Sequence, residues 1–214
     1  MKRIVVNLAV LFSLTTMLAF LGSCGGSLEK TTGIDPSRAA KKEAKEMEKQ
    51  GFETPPGAPP LEFVLQDAWE KAYEKTEEGD TKYLTADGSA IAGNSTAAEA
   101  QAIEMARIQL AGSIGSKVAS LVSANVANTE LSDQEAETIT EFVQSSKNII
   151  AQKLGHVDPA FKVSRRLKNG NVETKVRLFY DTKQSLKIAR QAIKENLKDK
   201  VKTNEEDLRK LMGM

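Results

Sequence analysis

The chain has 214 residues, of which 40% are hydrophobic and 5% aromatic, with 30 basic residues against 29 acidic ones and a single cysteine. That length suits one domain, or one domain with an extended arm. Balanced charge excludes a global field that would draw nucleic acid, scarce aromatics exclude a stacking surface as the main theme, and one cysteine excludes an internal disulfide or a thiolate metal site.

Lys2 and Arg3 form a short positive start, and Ile4 to Leu21 is apolar apart from Asn7 and small hydroxyl residues. The run ends in Leu21-Gly22-Ser23-Cys24. Positive charge holds the N-terminus inside, the apolar run enters the bilayer, and small residues let a peptidase reach the backbone. The sequence resembles the lipobox of bacterial lipoproteins. That resemblance implies a signal over 1–23, with Cys24 as the lipid attachment site, cleaved before the cysteine and acylated on thiol and amine. Loss of Lys2 and Arg3 turns the formal charge of +1 to about −1. Gly25 and Gly26 bring no acidic retention residue, so the family pattern implies the outer membrane. An uncleaved spanning helix and an ordinary signal peptide are the alternatives.

Residues 24–80 read as a lipidated tether. Gly25 to Gly33 is a flexible leash, and Ser37 to Gln50 a solvated helix carried by spaced charge pairs such as Lys42–Glu46 rather than by a core, with a docking helix for a partner or peptidoglycan as the alternative. Pro55, Pro56, Pro59 and Pro60 then force an extended stretch. Leu61 to Tyr73 returns to helical spacing, with Trp69 either packing that helix onto the domain or standing exposed as an interaction anchor. Fully extended, Cys24 to Leu61 would reach on the order of 100 Å.

The domain is expected over 81–201. Lys82 to Ala92 reads as a strand or a bulged strand pair bent at Gly88. Thr96 with Glu99 forms a capping box that opens a helix with Ile103, Ala106, Leu110, Ile114, Val118, Leu121 and Val122 at helical spacing. Ser132 and Glu135 repeat that pattern for a second helix with Ile139, Phe142, Val143, Ile149, Ile150 and Leu154 as its buried stripe, ended by Gly155. Alternation from Phe161 to Leu167 and from Val172 to Tyr180, joined through Asn169-Gly170, predicts a hairpin. Asp181 or Thr182 caps a last helix with Leu186, Ala189, Ile193, Leu197 and Val201 as its stripe, and residues 202–214 are expected to fray as a tail. The order implies an α+β fold, with a small antiparallel sheet and its C-terminal-side hairpin covered on one face by two or three helices.

Tyr83-Leu84-Thr85-Ala86-Asp87-Gly88, with Ala100, Ala106-Arg107 and Leu110-Ala111, resembles the Lpp-twenty lipoprotein family, to which a domain of flagellar FlgT is related. The similarity covers residues 81–185. It implies an envelope lipoprotein with an α+β module and no enzymatic chemistry.

No catalytic, cofactor or metal site is read from the residues. His156, the only histidine, lacks a second histidine or a free thiol as co-ligand and reads as a surface or capping residue. Gly112 to Lys117 has the wrong spacing for a phosphate loop and lies inside a helix pattern. Arg165, Arg166, Lys168, Lys175 and Arg177 concentrate charge on the hairpin, as a solvated sheet face or as a patch for acidic headgroups or envelope polysaccharide. Arg107 among apolar neighbours suggests a helix-to-strand ion pair. The leading function is a structural or interaction module held to the membrane through Cys24, with an envelope protein or polysaccharide as partner. A ligand binder using the basic hairpin is the second reading, and a hydrolase the third.

Overall fold

The computed structural model describes residues 35–126, 133–198 and 205–214. The signal and leash expectations, the cap at Ser132 and the stripe position at Val201 therefore lie outside the described residues. Helix α1 (Pro36–Lys49) begins where Asp35 accepts from Ser37 N and Arg38 N, with Pro36 in the first turn. After the proline run comes α2 (Leu61–Tyr73). Strand β1 (Tyr83–Ala92) leads into α3 (Ser95–Val126), α4 (Asp133–Ser145) and α5 (Lys147–Leu154). The hairpin β2 (Pro159–Arg166) and β3 (Val172–Asp181) follows, then α6 (Thr182–Leu197) and α7 (Glu205–Leu211).

The three strands form one antiparallel sheet in the order β1-β3-β2, so the fold is α+β. The hairpin turns where expected, with Gly170 at φ 86°, a conformation that glycine adopts without a Cβ clash. Strand alternation divides β3 cleanly. Val172, Thr174, Val176 and Leu178 are buried towards α3, while Glu173, Lys175, Arg177 and Phe179 point the other way. Under α3, Leu110, Ile114, Val118 and Val122 pack with Leu84, Ala86, Val176 and Leu178, and Ile150, Leu154, Ala189, Ile193 and Leu197 complete this core.

The second face is covered too, which corrects the one-sided sheet read from the sequence. Ala40, Ala44, Phe52, Leu61, Leu65 and Ala68 from the proximal arm bury Phe161, Val163 and Phe179. Each large apolar side chain so buried contributes about 1.5–3 kcal/mol. Helix α1 is therefore not a free solvated rod: Ala40 and Ala44 are fully buried, and Glu43 accepts from Trp69 Nε1 at 2.7 Å. Trp69 stacks on Tyr73 and ties α2 to α1.

Of the strand and the bulged pair expected over Lys82 to Ala92, the single strand forms, and β1 pairs without a bulge from Tyr83↔Asp181 to Ala92↔Val172. Three further expectations are corrected. Helix α3 is capped by Asn94, whose Oδ1 accepts from Ala97 N at 2.9 Å, and Glu99 instead reaches across to Lys162. The long second helix breaks at Ser146, where Ser145 and Ser146 both return their hydroxyls to Phe142 O and so compete with the helical ladder. The C-terminal segment is docked, with Leu208, Leu211 and Met212 buried and Asn125 Nδ2 donating to the carbonyls of Lys210 and Leu211.

Candidate functional site

Cys24 lies outside the described residues, so its surroundings are not part of this geometry. The five basic hairpin residues are within them, and the structure does not keep them together. Arg165, Lys175 and Arg177 point to the sheet face that the arm approaches, because odd-numbered residues of β2 and β3 share that face in the register Arg165↔Glu173, Val163↔Lys175 and Phe161↔Arg177. Arg166 points to the opposite face and is exposed, and Lys168 is exposed in the turn.

The first group is largely consumed within the molecule. Arg165 Nε donates to Glu173 Oε2 at 2.8 Å and its Nη1 donates to Gln50 O at 2.9 Å. The Arg165 guanidinium and the Lys175 ammonium each sit 4.6 Å from the centre of the Phe52 ring, a cation–π arrangement. Arg177 makes a forked pair with Asp87 at 2.6 and 3.2 Å, with Glu43 Oε1 3.8 Å away. Burial works against the Arg177 charge, yet the Asp87 hydrogen bond and the negative charge of Asp87 and Glu43 hold its pKa above the ordinary arginine value. These three cations pin the arm to the sheet, so the single solvated patch expected from alternation does not form.

What remains is a groove of about 670 Å³ between the proline-rich turn, β2 and the start of α3. Gly51 to Pro56 form one wall, and Lys162, Arg165, Arg166 and the start of α3 at Ser95 form the other. Lys162 Nζ donates to Glu99 Oε1 at 2.7 Å across this opening. Arg166 keeps one contact, 3.4 Å to Gly170 O, and is the cation most available to a ligand there. The arrangement can receive an acidic or hydroxyl-rich group by charge and hydrogen bonding. Sequence reasoning missed Lys162, which shares the face of Arg166 rather than that of Arg165, Lys175 and Arg177, and missed Phe52, whose role depends on the arm folding back.

His156 is exposed and lies 3.0 Å from Asp158 Oδ1 in the loop after α5. Among the described residues no group of three or more histidine, cysteine, aspartate or glutamate side chains could hold a metal. Arg107 pairs with Glu104 on its own helix at 2.5 Å rather than with a strand. Gly112 to Lys117 lies in the middle of α3, as the rejection of a phosphate loop requires. Among the described residues no helix is long and apolar enough to cross a membrane. Of the residues that carry the Lpp-twenty resemblance, Tyr83 to Gly88 lie on β1 and the rest on α3, where Ala106, Leu110 and Ala111 are fully buried, Arg107 is partly buried and Ala100 is exposed. Comparison with protein-family models, with curated proteins and with solved structures finds no match to this chain.

Proposed function

We propose that the chain is a lipid-anchored protein of the bacterial envelope whose domain acts as a structural or interaction module without enzymatic chemistry. The observation that carries this reading is the place of the one cysteine, directly after an apolar run closed by Leu21-Gly22-Ser23. Acyl chains on Cys24 would anchor it, at about 0.8 kcal/mol for each buried methylene. Gly25 and Gly26 favour the outer membrane, and the Lpp-twenty resemblance accords with that address.

The docked arm supports a role close to the bilayer. Residues from Pro36 to Tyr73 are folded against the sheet or one another, so the separation between lipid and domain is set by the residues from Cys24 to Asp35. That length spans about 40 Å at most, well short of the reach of a free tether. The carboxylates nearest the basic groups are already partnered, as Glu99–Lys162, Glu173–Arg165 and Asp87–Arg177. Such pairing commits these groups to packing and recognition.

The test is metabolic labelling with a clickable fatty acid, followed by fractionation. Wild-type protein should carry the label and sediment with membranes, whereas Cys24→Ala should be unlabelled. Equal labelling of both, or no label on either, overturns the proposal. The groove beside Arg166 favours a second reading, recognition of acidic envelope polysaccharide. Under it, Arg166→Glu lowers retention on an acidic polysaccharide column several-fold, and unchanged retention removes it.

A further inference from the structure

The sheet has two edges, and the chain treats them differently. The β2 edge is closed by its own arm: Glu53 N donates to Ser164 O at 2.9 Å, and Ser164 N donates to Glu53 O at 3.0 Å. Two residues on, Pro55 has no N–H with which to extend that pairing. The opposite edge, β1, runs for ten residues, and among the described residues no strand pairs with its outer side. It contains neither proline nor lysine, and its one charged residue, Asp87, is bound to Arg177. Among the described residues the edge therefore lacks a proline, a lysine and a pairing segment to protect it.

Register decides which backbone groups face outward. Thr182 N donates to Lys82 O at 2.8 Å, so even-numbered residues of β1 turn their N–H and C=O towards β3. By alternation Thr85, Asp87, Ser89 and Ile91 turn theirs away from the sheet, and all four residues are exposed. A row of donor–acceptor pairs about 6.8 Å apart is met by another extended backbone. Beside this row is a groove of about 600 Å³ whose apolar wall includes Met105, Ile108 and Gly112. Met105 is 56% exposed, an uncovered large side chain in the position an added strand would reach.

We infer that the outer edge of β1 takes an extended peptide segment of a partner protein as a fourth strand, with apolar side chains at alternate positions set against Met105 and Ile108. This deepens the interaction-module reading and rests on it for the existence of a partner. The occupant is a lone strand rather than a second copy, for a steric reason. A Cβ on Gly88 would lie 2.0 Å from Ala102 O, so α3 runs directly over β1. Joining two copies β1 to β1 about a dyad near Gly88 would bring their α3 backbones to about one strand spacing, ~5 Å. Packed helices keep about 8–10 Å.

The test pans a random dodecapeptide phage library against the full mature chain, then measures binding and amide hydrogen exchange with the selected peptides as synthetic probes. Ser89→Pro removes an outward-facing N–H without touching the β3 ladder, and Met105→Glu charges the groove from an exposed helix position in case the proline variant fails to fold. Selected peptides should alternate apolar residues, slow exchange at Thr85, Asp87, Ser89 and Ile91, and bind either variant at least tenfold more weakly. Failure to select any peptide, or unchanged binding to both variants, overturns the inference. Protection of those amides in the free monomer would assign the edge to residues 25–34, and protection that grows with protein concentration would assign it to a second copy; either result also overturns it. Fatty-acid labelling at Cys24 is read separately, so loss of the edge site and loss of the envelope reading are distinguishable.

Discussion

Gly88 and Ala102 meet backbone to backbone, with a Cβ on Gly88 falling 2.0 Å from the Ala102 carbonyl oxygen and 2.9 Å from Ala106 N. Helix α3 can lie this low on β1 because Ala98, Ala102 and Ala106 are small and fully buried along the contact. Gly88→Ala should therefore destabilise by about 3 kcal/mol or more, since neither backbone can yield without lifting the helix. Gly112, in the same helix, faces only the flexible Lys147 side chain at 3.5 Å. Gly112→Ala should be neutral or stabilising by up to about 1 kcal/mol, from helix propensity. Urea denaturation of the two variants checks the pair, and equal effects would contradict the close approach.

The arm supplies the second prediction. Phe52 is 1% exposed and carries Arg165 and Lys175 over its ring. Phe52→Ala should cost about 3–5 kcal/mol of arm docking. Limited proteolysis should then cut between residues 50 and 60 at least tenfold faster, while the core beneath α3 stays protected. A chain shortened to begin at residue 81 should expose Phe161, Val163 and Phe179 and self-associate.

Those two relationships explain what the sequence made legible. Alternation from Val172 to Tyr180 and the Asn169-Gly170 turn are local signals, and they placed the hairpin correctly. The buried stripe of α3, the Asp181 cap on α6 and the stop at Gly155 are local as well. The second core is not local. Its arm contribution is spread over two alanines among charges, one phenylalanine before a proline run, and a short amphipathic helix, and only the folded register brings them to Phe161 and Phe179. Gly88 advertised a bend because glycine in a strand has several causes, and the close helix that explains it begins seven residues later. The basic hairpin dispersed for the same reason: alternation sends Arg166 to one face and Arg165 to the other, and the acids beside Arg177, which are Asp87 and Glu43, come from distant segments.

Acid sensitivity follows from Glu195. Its carboxylate accepts from Gln191 Nε2 at 2.8 Å and lies 3.4 Å from Lys153 Nζ, and these partners hold its pKa below the ordinary glutamate value. A depressed carboxylate pKa gives stability that is present above the unfolded value and is lost as pH falls through the folded one. The stability difference between wild type and Glu195→Gln should therefore be small, favour wild type at pH 6, and vanish towards pH 2. Thermal melts across that range check it, and a difference that grows in acid would contradict the pairing of α5 with α6.

The docked C-terminus makes the fourth prediction. Leu211 is fully buried and its carbonyl accepts from Asn125 Nδ2 at 2.9 Å. Leu211→Ala should destabilise by about 2–4 kcal/mol, as core truncations do. A frayed tail would give no change in chemical denaturation.

The intact mass of the native protein, purified from envelopes, bears most directly on the envelope assignment. A polypeptide that begins at Cys24 and exceeds its amino-acid mass by a diacylglyceryl group and a further acyl chain is the expected product. A protein that begins upstream of Cys24 and weighs no more than its residues would contradict the assignment.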